Sequence, residues 1–202
     1  MAIVFLDDFN RANSTTLGND WGQSEEYRPE ILGNAAFNNR TQVAEAFRDL
    51  PVGANLSMEA TFYRQDLGTG NPFAILWFGP SGSQSLNTDG TYYVAIGVSS
   101  FSLVRRTTVT TTLATSTERL STTPATIGLI VGETTVSVTY NGTEVMVAND
   151  TTFARSSLAV AAFRLSFSTV SNGTYADDFT IYGPDEPSTT FRRRHRLAMS
   201  GV

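Results

Sequence analysis

The 202-residue sequence has no cysteine, a single histidine, and arginine as its only basic residue type, 14 in all. Without cysteine there is no disulfide, no thiolate zinc site and no thiol nucleophile. Stability must come from packing, with an oxygen-ligated cation the one metal chemistry left open. The lone histidine is His195, seven residues from the end, so a Ser-His-Asp arrangement within the preceding domain is excluded. No stretch approaches the ~20 apolar residues of a membrane span. The opening Met1-Ala2-Ile3-Val4-Phe5-Leu6-Asp7-Asp8 lacks a basic flank, and its short apolar run ends at the aspartates, so no secretory signal is expected. Synthesis in a cytoplasm follows as an expectation. Asn141-Gly142-Thr143 and Asn172-Gly173-Thr174 then read as turn chemistry rather than glycosylation sites. No P-loop or dinucleotide fingerprint occurs, and no window carries the period of a long helix.

What the chain has is strands. Apolar alternation or buried apolar runs fall at residues 3–9, 42–47, 56–64, 73–78, 92–98, 101–106, 126–131, 135–140, 144–148, 158–167 and 175–182. They are rich in Val, Ile, Thr, Phe and Tyr, which suit a pleated, half-buried surface. Clusters of Gly, Asn, Pro and Ser separate them, as at 13–19, 68–72, 79–82, 87–90 and 171–173. Residues 41–50 could be drawn as a helix, but a strand running into the Leu50-Pro51 turn is the better reading. The clearest hairpin spans residues 134–148 around Asn141-Gly142, a dipeptide that supplies the positive φ angles of a type I′ turn. About eleven or twelve strands in one chain of this length is the density of a two-sheet sandwich, and one domain of this size needs no staple.

The fold is expected to fill residues 1–183. Gly183-Pro184-Asp185-Glu186-Pro187-Ser188 reads as a linker, because neither proline can donate a ladder hydrogen bond. Residues 184–202 then form the linker and an extended basic arm. Arg192, Arg193, Arg194 and Arg196 lie in that arm. The other 10 arginines stand against 19 acidic residues, so the chain apart from those four arginines carries a charge of −9. Phosphate neutralisation by the arm is possible chemistry, but the acidic body repels nucleic acid. With Phe191, Leu197 and Met199 as apolar anchors, the arm fits docking on a protein neighbour better.

Two stretches carry a resemblance. Phe5-Leu6-Asp7-Asp8-Phe9-Asn10-Arg11-Ala12, followed by Leu17-Gly18-Asn19-Asp20-Trp21, looks like the opening of concanavalin A-like or laminin-G-like domains of bacteriophage virion proteins. Leu158-Ala159-Val160-Ala161-Ala162-Phe163 and Tyr175-Ala176-Asp177-Asp178-Phe179-Thr180-Ile181-Tyr182 resemble their closing strands, and the 127–149 hairpin is similar to one such domains carry late in the chain. The resemblance spans residues 5–182 and implies an all-β, two-sheet antiparallel jelly-roll sandwich. Its first and last strands would lie side by side and bring the two Asp-Asp-Phe motifs together. It also implies a virion component, either a minor tail protein or a capsid decoration, assembling with other virion proteins and copies of itself. This fold hosts many functions, so a carbohydrate-binding module or adhesin outside a virion is the alternative, and a glycan hydrolase a more distant one.

The chemistry of particular residues is weighed within that frame. Related sandwiches often hold a structural calcium between their terminal strands, and Asp7, Asp8, Asp177 and Asp178 are oxygen ligands of the kind calcium takes. Those carboxylates would equally serve by accepting loop N–H groups or pairing with Arg11. Host-surface polysaccharide would need aromatic faces with polar groups nearby. Tyr63, Trp77 and Tyr93, with Arg64 and Arg105 near in sequence, are the candidates. If Tyr92, Val94, Ile96 and Val98 face the core, Tyr93, Ala95 and Gly97 share the other face as a shallow groove. Trp77 has a competing reading as core, since Phe73-Ala74-Ile75-Leu76-Trp77-Phe78 is apolar on both faces. Glycanases of this fold carry a Glu-x-Asp-x-(x)-Glu strand, which is absent here. Glu25, Glu26 and Glu30 read as solvated, so a non-enzymatic role is expected.

Overall fold

The computed structural model describes residues 3–23, 28–38, 43–50, 56–64, 73–166 and 173–183. The expected arm residues Phe191, Arg192, Arg193, Arg194, Arg196, Leu197 and Met199 lie outside the described residues, as do Glu25 and Glu26. Apart from one 3-10 turn at Arg155–Ser157, the regular structure is strand. The first strands are β1 (Ile3–Asp7), β2 (Gly22–Gln23), β3 (Glu30–Leu32), β4 (Ala35–Phe37) and β5 (Ala44–Asp49). The middle ones are β6 (Leu56–Arg64), β7 (Ala74–Pro80), β8 (Thr91–Ile96), β9 (Phe101–Arg106) and β10 (Thr110–Ser116). The last are β11 (Ala125–Val131), β12 (Thr135–Tyr140), β13 (Thr143–Asn149), β14 (Leu158–Leu165) and β15 (Thr174–Tyr182). An eight-stranded sheet runs β13-β12-β11-β6-β15-β4-β3, with β1 also pairing β15, and a seven-stranded sheet runs β10-β9-β8-β7-β14-β5-β2. All the pairings are antiparallel. The architecture is the jelly-roll-like sandwich expected from the period-2 patterning.

Alternation fills the space between the sheets. Met58, Ala60 and Phe62 of β6, Ile127 and Leu129 of β11, and Val136 and Val138 of β12 meet Leu76 and Phe78 of β7, Tyr92, Val94 and Ile96 of β8, and Phe163 of β14. At one end Trp21 packs among Phe5, Phe9, Phe163 and Phe179, with ring centroids 4.9–6.1 Å away. The hairpin between β12 and β13 turns on Asn141 (φ 51°) and Gly142 (φ 79°), the two positive angles that Asn-Gly predicts.

The first and last strands are neighbours, Asp7 opposite Phe179 and Leu6 opposite Thr180. The Asp-Asp-Phe motifs do backbone work there. On β15 the register against β6 slips between Asp177 and Thr180, and Asp178 takes up the bulge at φ 50°. Aspartate tolerates this left-handed region better than most residues. The bulge lets Ala176 and Phe179, three apart, both point into the core. After Asp7 the chain leaves its strand, with Phe9 at φ 47°, so β1 stops short of the expected Phe9.

Candidate functional site

The seven-stranded sheet buries one face in the sandwich and turns the other outward. Register places three short rows on that outer face. One runs Phe47, Ala162, Trp77, Tyr93, Val104, Thr112 across six strands. Beside it runs Glu45, Arg164, Ile75, Ala95, Ser102, Thr115. On the other side Arg106 stands between Thr91 and Thr110.

A loop divides this face into a covered and an open half. Ile75, Trp77, Leu86, Val160 and Ala162 form a hydrophobic cluster separate from the main core. Leu86 comes from the β7–β8 loop, whose backbone N–H at Leu86 donates to Glu45 Oε1 at 3.0 Å. Glu45 Oε2 meets Arg164 Nη2 at 2.8 Å, so one carboxylate pins both the loop and the neighbouring strand. Gly79 allows the loop to lie close, since a Cβ there would come within 3.2 Å of Ser83 Oγ and 2.8 Å of the Trp77 ring. Trp77 is fully enclosed under this cover. Its cross-strand partner Tyr93 is only partly buried. Tyr93 has the buried Val104 as its partner on β9, with Ala95 and Ser102 beside the pair, and the exposed Thr110, Thr112 and Thr115 lie one strand further out on β10. Burial raises the Tyr93 hydroxyl above its ordinary range, while the positive charges of Arg106 and Arg164 pull it the other way. The result is a sheet face with one partly open aromatic ring, Val104 and Arg106 on the neighbouring strand, and a row of exposed threonines beyond.

The five glycan candidates read from sequence do not gather in one place. Trp77 and Tyr93 are direct partners on this face, one covered and one open. Tyr63 lies on the outer face of the other sheet, stacked on Tyr175 with centroids 5.0 Å apart, and Tyr175 stacks on Phe37 at 4.6 Å. Burial, with Asp177 and Tyr175 adding to it, lifts the Tyr63 hydroxyl to about 12. Arg64 closes β6 on the register of Phe62, its backbone N–H bonded to the Ser121 carbonyl at 3.0 Å. Arg105 shares the core-facing register of Phe101 and Leu103, and its guanidinium binds Asp150 and Thr152. Asp150 also accepts the Tyr92 hydroxyl. Burial pushes that hydroxyl up, and the hydrogen bond to Asp150 adds to the push. Burial would raise Asp150, but its hydrogen bonds from Tyr92 and Thr152 outweigh it and hold the carboxyl low. Arg105 is thus a clamp at the sandwich end.

Of the four aspartates, Asp7 fits calcium poorly. Asp7 is almost fully buried and already saturated. Its oxygens take Arg11 Nη1 at 2.7 Å and Nη2 at 2.9 Å, Trp21 Nε1 at 2.8 Å and the Phe9 N–H at 2.8 Å. Burial opposes the charge, yet the bonds from Arg11, Trp21 and Phe9 together lower the carboxyl below its usual range. A carboxylate engaged on both oxygens by a guanidinium has little left for a cation. Asp8 accepts the Asn10 N–H at 3.1 Å and Asp177 that of Asp178 at 2.9 Å. Among the described residues no three His, Cys, Asp or Glu side chains gather as a metal site. The alternative expectation, bonding to loop N–H groups and Arg11, describes Asp7, and Asp8 and Asp177 each accept one nearby backbone N–H.

Arg106, Arg164, Glu45 and the threonines of β10 were not among the residues read from sequence. The signal for Arg106 was present: if Phe101 and Leu103 face the core, Arg105 shares their side and Arg106 the other. β10 was missed because Thr110–Ser116 carries a single large apolar residue, Leu113, leaving threonine's β preference as its only mark.

No known protein family matches the chain, and no curated protein matches its sequence. Solved structures do resemble it. The carbohydrate recognition domain of Emp46p, in its potassium-bound form, superimposes with a TM-score of 0.63 at 8% identity, covering 80% of this chain and 88% of that one. Carbohydrate-binding module CBM66 from Bacillus subtilis gives 0.55 at 11%, covering 85% and 96%. SCLam, a non-specific endo-beta-1,3(4)-glucanase from family GH16, gives 0.65 at 8%, covering 89% and 90%. At these identities the likeness concerns the fold.

Proposed function

We propose that this chain is a non-catalytic carbohydrate-binding domain that takes saccharide on the open half of the seven-stranded sheet, with Tyr93 as the stacking ring. The observation that carries this reading is the pairing of a half-open aromatic with small and hydroxyl neighbours on an otherwise regular sheet face. Sugar rings stack their C–H faces on aromatics, and threonine and serine hydroxyls exchange hydrogen bonds with sugar hydroxyls. Two of the similar structures are, by their own descriptions, carbohydrate-recognising domains, which supports the same reading.

Carboxylate placement speaks against glycan hydrolysis on this face. A retaining pair stands ~5 Å apart and an inverting pair at most about 9.5 Å. Among the described strand residues of this face the carboxylates are Glu45, held by Arg164, and Asp49, four residues along the same strand and so about 13 Å away. The test is a glycan array read with wild type and Tyr93→Ala, with thermal melts of both. Binding by wild type that Tyr93→Ala abolishes without lowering the melting temperature supports the reading. An array on which wild type binds nothing, or hydrolysis of any arrayed glycan, sinks it.

A virion setting is the second reading. It rests on the terminal motifs, whose strands lie side by side as that resemblance implies, and the similar structures add nothing to it. A mass-spectrometric count of this chain in purified particles tests it.

A further inference from the structure

We propose that the saccharide taken by this face is anionic, its carboxylate or sulfate held by Arg106 while its ring lies on Tyr93; the inference rests on the carbohydrate-binding reading. Tyr93 stands opposite Val104, and Arg106 is two residues along the same strand and on the same side. Such diagonal neighbours are about 7–8 Å apart at the backbone, so one sugar residue spans ring and guanidinium together. Arg106 makes no ion pair with any described residue, and its Nε is buried without a hydrogen-bond partner. An unpartnered buried Nε is common to Arg28, Arg64, Arg105 and Arg164 as well, so what distinguishes Arg106 is its place beside Tyr93 together with the lack of an ion pair. Arg11 is committed to Asp7, Arg105 to Asp150 and Arg155 to Glu133. Arg164, on the far side of Tyr93, shares one Nη with Glu45 and likewise leaves Nε unpartnered.

The charged groups acting on Tyr93 are these two cations. Arg164 is neutralised by Glu45, so in a chain of net charge −5 the positive charge beside Tyr93 is that of Arg106. A guanidinium fork matches the planar oxygen pair of a carboxylate and two oxygens of a sulfate. A neutral sugar would leave the Arg106 donors with hydroxyls alone. Nucleic acid presents a dense run of phosphates that the acidic body repels beyond this one cation.

Affinities are measured by calorimetry for matched probes: tetragalacturonate against its methyl ester, and sulfated lactose against lactose, with single-stranded DNA as a further arm. Wild type should favour one or both anionic members by at least about tenfold at low salt, the size of one charge-assisted hydrogen bond. The preference should shrink as salt is added. Arg106→Gln should bring each anionic probe down to about its neutral partner, costing the anionic member of each pair far more affinity than the neutral one. Arg106→Lys should keep part of the preference, which covers the case in which the glutamine variant fails to fold. Equal or tighter wild-type binding of the neutral members overturns the inference and leaves the carbohydrate reading standing. So does an anionic preference that survives in Arg106→Gln. No binding of any saccharide removes both, and DNA bound more tightly than every saccharide in an Arg106-dependent way replaces them.

Discussion

Trp77 and Tyr93 are register partners on β7 and β8, yet one is wholly enclosed and the other stands half open. Trp77 is clustered with Leu86 of the β7–β8 loop, and Tyr93 packs at the margin of that cluster. Trp77→Ala should therefore act as a core deletion and cost about 3–5 kcal/mol in chemical denaturation. Tyr93→Ala should cost far less. A Trp77 variant of normal stability that loses saccharide binding would mean the loop opens to admit ligand, and Trp77 would join the site.

That pair also shows how far the sequence could be read. The run from Phe73 to Phe78, apolar on both faces, announces double burial, and the structure splits it: Leu76 and Phe78 into the sandwich, Ile75 and Trp77 under the loop. The alternation of Tyr92, Val94 and Ile96 likewise sets Tyr93 and Ala95 outward, though the strand ends before Val98, where Gly97 bonds to Ser100. Period-2 patterning thus gave the faces. It did not give the sheet order, so Tyr63, equally aromatic and equally placed on a central strand, could not be assigned to the other sheet. Nor did it give Glu45, whose partners Leu86 and Arg164 are distant in sequence. The short strands β2, β3 and β4 escaped because two or three residues carry no period at all.

Glu45 should be the pin of the covering loop. Its ion pair with Arg164 is largely buried, and removing one member of such a pair leaves the other charged and unpaired, at about 3–5 kcal/mol. Glu45→Ala should destabilise by that order. It should also make Trp77 accessible to acrylamide in fluorescence quenching, because the loop loses its bond at Leu86. Destabilisation without added quenching would show that Leu86 and its apolar contacts hold the loop alone.

The calcium question has a direct readout. A cation bound only to the folded state adds about 2.7 kcal/mol at a hundredfold excess over Kd, enough to move a melt by several degrees. With Asp7 engaged by Arg11 and Trp21, the expected result is the same melting temperature in EDTA and in millimolar calcium. A clear fall in EDTA would instead assign a site to Asp8, Asp177 or Asp178, with ligands from residues beyond those described.

Gly142 follows Asn141 in the turn between β12 and β13, and both sit at positive φ. A Cβ on Gly142 would meet nothing within 4 Å, so the cost of Gly142→Ala is purely conformational, about 1–2 kcal/mol. Asn141→Ala should cost more than the backbone strain alone, because the Asn141 Oδ1 accepts the Thr126 N–H at 3.0 Å. Equal stability of the alanine variants and wild type would rule out this turn geometry.

Asp7 should make the fold acid-sensitive. Its carboxyl is lowered in the folded state, so the sign is that of a carboxylate favoured by folding. The stabilisation is fully present above the ordinary carboxylate value of about 4 and is lost as pH falls below it, through the lowered folded value. Asp7→Asn keeps the shape but cannot hold Arg11 as an ion pair, and it turns a donor toward the indole N–H of Trp21. At neutral pH the loss should approach about 3 kcal/mol, softened because the Arg11 side chain is one-third exposed to water. Denaturation midpoints of the two proteins should differ most from pH 5 upward and converge as pH drops below about 4. Parallel curves over the whole range would mean that the Asp7 contribution is packing around Trp21 and not its charge.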